Sequence, residues 1–214
     1  MKFYAVIHVC DPFGYHPTIS AGRAVRAGAD GVFVINHGVR PSALIDVANR
    51  IHAEHPDLWM GFNFLGLRPE DAFHALPDYA KGLWTDNAGE GPSVQRARLR
   101  SEWKGEYFGG TAFKGQRQPS DLREAVLTAA TFMEVVTTSG PGTGRAPELE
   151  KIRIMGETAK QCGRGLAIAS GVTPENVSQY MPYATHILVA TGVSQSFQEL
   201  DFYKMKQLVD VIRN

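Results

Sequence analysis

Short apolar runs alternate with longer amphipathic stretches along all 214 residues of the chain. The apolar runs suit β-strands, and the amphipathic stretches suit helices that cover a sheet. We predict strands at 2–9, 31–36, 59–65, 82–86, 106–114, 133–138, 166–170 and 186–191. We predict helices at 18–29, 41–54, 69–79, 93–103, 120–132, 147–161, 174–181 and 200–212.

Eight consecutive strand–helix units indicate a parallel sheet with helical crossovers. The helix at 147–161 is typical, because Leu149, Ile152 and Met155 follow one another at helical spacing on a single face. With no extra strand in the series, the pattern favours closure into a single (β/α)₈ barrel of the α/β class, with residues 1–214 as one domain. An open, doubly wound nucleotide-binding sheet is the alternative.

The balance of charged residues limits the classes of binding partner that the sequence predicts. The 22 basic and 22 acidic residues balance, which gives no electrostatic case for nucleic acid or an acidic membrane as the partner. Cys10 and Cys162 fit no metal or redox spacing and are expected to be reduced thiols.

The first apolar run meets His8 and Asp11 too early for a signal peptide, and no run is long enough to span a membrane. We therefore expect a cytoplasmic protein. Compact barrels often pair, so a homo-oligomer is one expectation.

Polar residues and glycines interrupt the apolar runs where the predicted strands end. In a (β/α)₈ barrel these ends meet at one rim, where catalytic groups lie. The alternative is that these residues are polar only because they belong to loops on the protein surface. From this rim we assign five substrate-binding candidates: His8, Asn36, Asn63, Thr137 and Ser139.

Two glycine loops follow the last two predicted strands. Ser170 and Gly171 come after the seventh strand, and Thr191 and Gly192 come after the eighth. Loops in these units, with the start of a small helix, bind phosphate through backbone N–H groups in such barrels. Thr173 and Pro174 suit the first positions of that helix. The competing interpretation is that the glycines only make tight turns.

A third glycine-rich segment, residues 139–145, follows the sixth strand. It is predicted either as a mobile lid that brings Arg145 to the phosphate or as a flexible loop with a solvated arginine.

Three residues are the catalytic candidates. Strand alternation sends Lys114 into the barrel mouth, where it could anchor an anion or form a Schiff base with a carbonyl, unless it is a surface lysine. Asp11 and Asp86 share the rim and could divide acid and base roles, or could serve as caps or ion-pair partners. His8 and His37 could bind a metal together with Asp11 and Asp86, but the closely spaced histidine pair of a typical metal site is missing, so no metal is predicted. No other cofactor is predicted.

The last 80 or so residues resemble the BtpA/SgcQ family. The resemblance is carried by four segments: 137–144, 146–149, 170–177 and 189–192. That family is similar to the ribulose-phosphate-binding barrels, which include phosphoribosylanthranilate isomerase and the tryptophan synthase α chain. The resemblance implies a phosphorylated ligand held by the last two units, but no particular reaction.

The isomerase of that group uses a cysteine that ends the first strand and an aspartate on the sixth. Cys10 matches the first, but Thr137 and Thr138 stand on the sixth, so this isomerase activity is not expected. We expect an enzyme that acts on a small phosphorylated, sugar-like metabolite as an isomerase or a lyase. The alternative is a non-catalytic assembly or regulatory factor on a barrel scaffold, since the family name comes from a role in stabilising a photosynthetic complex.

Overall fold

The chain folds into a closed barrel of eight parallel strands. The structure, a computed structural model, describes residues 1–11, 13, 15–89 and 91–214. The strands pair in chain order and β8 closes onto β1. The strands are β1 (Lys2–Val9), β2 (Gly31–Asn36), β3 (Met60–Asn63), β4 (Gly82–Thr85), β5 (Glu106–Gly110), β6 (Val135–Thr138), β7 (Gly165–Ala169) and β8 (His186–Val189). The predicted (β/α)₈ barrel is therefore confirmed.

Helices alternate with these strands and cover the barrel. They are α1 (Tyr15–Ala27), α2 (Pro41–Glu54), α3 (Pro69–Ala75), α4 (Gly91–Ser101), α5 (Leu122–Ala129), α6 (Leu149–Gln161) and α7 (Phe202–Arg213). Local chemistry explains several helix starts: Pro41 opens α2, and the Asp121 carboxylate caps α5 by accepting from the backbone N–H groups of Arg123 and Glu124. None of the described helices is long and apolar enough to cross a bilayer.

Side-chain alternation along the strands divides the core into two layers. In β2, Val32 and Val34 pack outward against the helices, whereas Phe33 and Ile35 pack inside the barrel. Both layers are almost fully buried. The same alternation decides which rim residues enter the barrel mouth.

Aromatic rings fill the amino-terminal half of the barrel interior. Tyr4 stacks on Trp59 with ring centroids 4.2 Å apart, and Phe33 meets Phe108 edge-on at 5.1 Å. Gly61 makes room for this layer, because a Cβ there would overlap the Phe33 ring. The cavity that carries the candidate site lies on the other side of this aromatic layer, at the carboxyl ends of the strands.

Two predicted elements differ from the structure in ways that affect the site. Strand β5 ends at Gly110 instead of residue 114, and Ala112 just beyond it has a φ of 50°, which interrupts the extended backbone. The predicted helix at 174–181 is only a 3₁₀ turn, Val177–Gln179. The Asn176 side chain closes this loop, accepting from the Thr173 N–H and donating to the Gly171 carbonyl. The other predicted elements are present, with ends displaced by at most four residues.

Candidate functional site

A cavity of about 140 Å³ opens at the carboxyl ends of the strands. One side carries His8 from β1, His37 and Asp86 just after β2 and β4, and Lys114 from the loop after β5. The facing side is formed by the loops after β7 and β8, with the cavity-lining residues Ser170, Gly171, Ala190, Thr191 and Gly192. Ionisable groups thus face backbone-rich loops across a small space.

Asp86 is the acidic group of the cavity. Asn63 on β3 donates from Nδ2 to its Oδ1 at 3.0 Å. Burial raises the pKa of Asp86 above its ordinary value, and this outweighs the opposite effects of Asn63, Lys114 and His37. A carboxyl with a raised pKa in a cleft is suited to proton transfer.

His8 and His37 lie side by side, with ring centroids 4.6 Å apart. Burial lowers the pKa of His8 to about 4, helped by the neighbouring His37 and Lys114. Burial also lowers the pKa of His37, although Asp86 opposes the shift. Both rings are therefore neutral at pH 7 and can donate or accept a hydrogen bond. No cluster of three or more His, Cys, Asp or Glu side chains suited to a metal ion occurs among residues 1–11, 13, 15–89 and 91–214.

Lys114 reaches the cavity from a loop, not from the strand we predicted. Its backbone N–H donates to Ser139 Oγ at 2.8 Å, and its Nζ donates to Thr143 Oγ1 at 3.2 Å. Lys151 on α6 donates to the carbonyl oxygens of Ala112 and Ser139 and so fixes the same loop. Hydrogen bonds between loops, and not strand register, position this lysine.

The loops after β7 and β8 offer unpaired donors to the cavity. In the part of the chain that the structure describes, the backbone N–H groups of Gly171, Thr191 and Gly192 donate to no protein acceptor. Both glycines are sterically required: a Cβ on Gly171 would overlap Ala146, and one on Gly192 would overlap the Val172 carbonyl oxygen. An anion here would be held by individual amides, because the predicted helix N-terminus is absent from the described loop.

The loop after β6 is hydrogen-bonded to the loop after β7. Ser170 Oγ donates to the Gly142 carbonyl and accepts from the Gly144 N–H. Ser170 itself has φ 117°, a conformation uncommon for a residue with a side chain. Arg145 is exposed and does not line the cavity, so its predicted contact with phosphate stays a prediction.

Several predicted substrate-binding residues form internal hydrogen bonds instead of facing the cavity. Asn36 points outward, donating to the Val39 carbonyl and accepting from the Leu65 N–H. Ser139 is fully buried between Lys114 and the Gly140 carbonyl, and Thr137 is fully buried on β6. Of the five substrate-binding candidates, His8 lines the cavity and Asn63 reaches it through Asp86.

Asp11 lies apart from the other two catalytic candidates. Its carboxylate accepts from the Phe13 N–H at 2.8 Å, and it does not line the cavity. Cys10 is also outside the cavity lining. Burial raises its pKa despite a hydrogen bond from Gln198.

The cavity lining also contains residues that the sequence analysis did not assign to substrate binding, among them His37, Trp84 and Phe197. His37 was considered only as a metal ligand, although alternation from Phe33 and Ile35 places it inward. Trp84 lies two residues before Asp86 on the same inward face. Phe197 stacks on His8 at 4.3 Å, and only the folded loop after β8 brings it there.

Comparison with known proteins identifies the fold but not a family. No protein-family model and no curated protein sequence matches the chain. Phosphoribosyl anthranilate isomerase from Thermus thermophilus aligns over 100% of this chain and 98% of its own, with 17% identity and a TM-score of 0.71. The tryptophan synthase α subunit of Legionella pneumophila aligns over 100% and 93%, with 11% identity and a TM-score of 0.71.

A third similar structure contains a phosphorylated substrate. (S)-3-O-geranylgeranylglyceryl phosphate synthase from Thermoplasma acidophilum, in complex with sn-glycerol-1-phosphate, aligns over 99% of this chain and 93% of its own. The identity is 16% and the TM-score is 0.66. The chain shares the barrel fold of these enzymes. At such low identities the likeness establishes the fold alone.

Proposed function

We propose that the protein is an enzyme acting on a small phosphorylated metabolite, by isomerisation or by lyase-type carbon–carbon chemistry. One observation carries this proposal: Gly171, Thr191 and Gly192, whose N–H groups donate to no acceptor in the described residues, line the same cavity as Asp86 and Lys114. Backbone N–H groups bind phosphate oxygens, while a raised-pKa carboxyl and an ammonium suit proton transfer beside a carbonyl.

The proposed roles follow from position. Ser170, Gly171, Thr191 and Gly192 hold the phosphate. Lys114 polarises a substrate carbonyl or captures it as a Schiff base, and Asp86 moves the proton at the adjacent carbon. A neutral His8 or His37 hydrogen-bonds the developing oxygen. Asp11 is the weaker second acid–base candidate, because its carboxylate already accepts a backbone N–H outside the cavity.

Two likenesses support a phosphorylated ligand. The resemblance of the segments around 170–177 and 189–192 to the BtpA/SgcQ family points to these loops, and one structural neighbour binds sn-glycerol-1-phosphate. We do not propose the phosphoribosylanthranilate isomerase reaction. Strand β6 ends in the buried Thr137 and Thr138, and Cys10 stands outside the cavity lining.

A charge-reversal experiment tests the phosphate site. Thr191 is exposed at the cavity mouth, so Thr191→Asp places a carboxylate beside the proposed anion without disturbing the core. We expect this variant to weaken inorganic phosphate binding at least about tenfold, measured by calorimetry and by amide shifts of Gly171 and Gly192. Ser178→Asp adds the same charge on an exposed residue outside the cavity lining and is the control. Phosphate that binds nowhere, or equally to both variants, would favour the non-catalytic assembly factor.

Borohydride trapping tests covalent chemistry at Lys114. Incubation with a panel of phosphorylated aldehydes and ketones plus borohydride should add the reduced substrate mass to the wild type and not to Lys114→Met. Lys104→Met, at an exposed residue of the α4–β5 loop outside the cavity lining, should still be trapped. Absence of any Lys114-dependent adduct removes the Schiff-base role and leaves Lys114 with an electrostatic one.

A further inference from the structure

Three residues that line the cavity carry a buried side-chain nitrogen without a hydrogen-bond partner. The nitrogens are Trp84 Nε1, His8 Nδ1 and His37 Nε2, and no group in the described residues pairs with them. A buried polar group that stays unpaired costs free energy, and native proteins keep few such groups without a bound molecule or a functional reason. These residues therefore hold hydrogen-bonding capacity beyond the backbone N–H groups of the β7 and β8 loops.

Trp84 is the most constrained of the three residues. Its side chain is 6% exposed and meets Phe33 and Phe113 edge-on inside the barrel, with ring centroids 5.9 and 6.2 Å away. Trp84 lies within β4, two residues before Asp86, and so lies farther from the cavity mouth than Asp86 does. An indole N–H can donate but cannot accept, so its complement is an acceptor atom.

The two imidazoles adapt to that acceptor. His8 and His37 lie with ring centroids 4.6 Å apart, and burial lowers the pKa of both rings. A neutral imidazole has one N–H donor and one acceptor nitrogen, and its tautomer decides which is which. A hydroxyl oxygen can accept from the indole and donate to an imidazole, and a carbonyl oxygen can accept from both kinds of ring.

The charges around the cavity disfavour a second anionic group on the ligand. Asp86 is the carboxyl among the described lining residues, and Lys114 is the cation. The Lys114 ammonium bonds to Thr143 on the β6 loop, near the proposed phosphate. A carboxylate beside Trp84 would give up its hydration for uncharged nitrogens and lie close to Asp86, which costs more free energy than burying a hydroxyl or carbonyl.

We infer that Trp84 is a specificity-determining residue whose Nε1–H donates to an uncharged oxygen, a hydroxyl or a carbonyl, at the end of the substrate farthest from its phosphate. This inference rests on the proposed phosphate site. The phosphate and the rest of the substrate share one cavity of about 140 Å³, so the chain between the two groups is short.

Matched ligands test the inference on the full chain. An ω-hydroxyalkyl phosphate carries an uncharged oxygen opposite its phosphate, and the alkyl phosphate with a methyl group in place of that hydroxyl is its control. Chains of three to five carbons are compared. In calorimetric titrations we expect the best hydroxyl compound to bind about tenfold tighter than its methyl counterpart, because the methyl compound leaves buried donors unpaired. The carboxylate of matched length should bind more weakly than the hydroxyl compound.

A pair of variants assigns the preference to Trp84. Trp84→Phe keeps an aromatic ring in the core and removes the N–H, so it should reduce the preference for hydroxyl over methyl at least about threefold and leave inorganic phosphate binding unchanged. Trp103→Phe is the control, because its indole N–H already donates to the Ala80 carbonyl at 2.9 Å and Trp103 is outside the cavity lining. It should alter no affinity, and thermal unfolding checks that both variants are folded.

The indole signals of the wild-type protein give a second readout that needs no variant. The chain has three tryptophans, so its NMR spectrum contains three indole N–H signals. We expect the Trp84 signal to move with the hydroxyalkyl phosphate and not with the alkyl phosphate, while the Trp103 signal stays in place.

The outcomes separate the two proposals. If phosphate binds but the hydroxyl and methyl compounds bind equally and move the Trp84 signal equally, the inference is overturned and the phosphate site stands. Tighter binding of the carboxylate would overturn it as well. If inorganic phosphate and every ester fail to bind, the proposed function fails and the inference fails with it.

Discussion

At the scale of single residues, the candidate site depends on groups held in unfavourable surroundings. Asp86 is partly buried beside Asn63, Lys114 and His37, and burial still raises its pKa, while His8 is buried enough to stay neutral. Such arrangements reduce stability and are typical of functional sites. Removing one of these groups should therefore stabilise the protein.

We expect Asp86→Asn to raise the free energy of unfolding at pH 7. Since burial raises the pKa of Asp86, the folded state favours the protonated carboxyl. The stability this gives is present below the ordinary pKa of 3.8 and is lost as pH rises. The gain from the substitution should accordingly be larger at pH 7 than at pH 3.5, measured by urea denaturation.

Asp121→Asn is the control for Asp86→Asn. The Asp121 carboxylate accepts two N–H groups as the cap of α5, so its loss should leave stability unchanged or slightly lower, by up to about 1 kcal/mol. A lower free energy of unfolding for Asp86→Asn at neutral pH would contradict the conclusion that the Asp86 carboxylate destabilises the folded state.

The sequence indicated which residues lie at the carboxyl ends of the strands. It did not indicate whether each side chain points into the barrel or outward. Asn36 ends β2 and His37 follows it, and only the inward position of Phe33 and Ile35 shows that His37 enters the cavity while Asn36 faces outward. Lys114 lines the cavity from a loop, and strand alternation does not direct it there, since β5 ends before it. Contacts between loops, which local patterns do not record, decide such cases.

At the scale of elements, the loops after β6, β7 and β8 form one interlocked unit. Ser170 joins the β6 and β7 loops, and Gly171 passes so close to Ala146 that no side chain fits between them. Gly192 passes equally close to the Val172 carbonyl on the β7 loop. The shape of the proposed phosphate site therefore depends on backbone packing among the loops after β6, β7 and β8.

Two glycine substitutions separate backbone conformation from packing. Gly163 and Gly171 both have positive φ, +67° and +73°, but only Gly171 is surrounded by other backbone. Gly163→Ala should cost about 1–2 kcal/mol through its φ alone. Gly171→Ala should cost about 3 kcal/mol or more, because the overlap with Ala146 adds to the strain. Equal losses in chemical denaturation would contradict the interlocked arrangement.

At the scale of the whole molecule, the first and last elements meet. Strand β8 pairs with β1, and Arg213 bonds to both the Met1 carbonyl and the Asp30 carboxylate. We propose that residues 1–214 behave as one domain for this reason. The closed order of strands does not depend on where the chain is opened.

A circular permutant tests this independence. In this permutant a short Gly-Ser linker joins residue 214 to residue 1. The new ends lie between the exposed Pro56 and Asp57, in a loop at the amino-terminal end of the barrel. We expect the permutant to fold, to lose no more than about 2 kcal/mol of stability and to keep the wild-type affinity for phosphate. Opening between Gly142 and Thr143, beside the cavity, should keep the fold but weaken phosphate binding.

The alternation of apolar and amphipathic segments was enough to predict the barrel ahead of an open sheet, because eight consecutive strand–helix units with no extra strand favour closure. It also placed the glycine loops after β7 and β8. Tertiary structure alone decided that Asn176 closes the β7 loop in place of a helix, that Phe197 covers His8, and that Lys114 is held by Ser139 and Thr143. Periodicity records which face of an element is buried, whereas these contacts join residues from different loops whose distances are set only when the barrel closes.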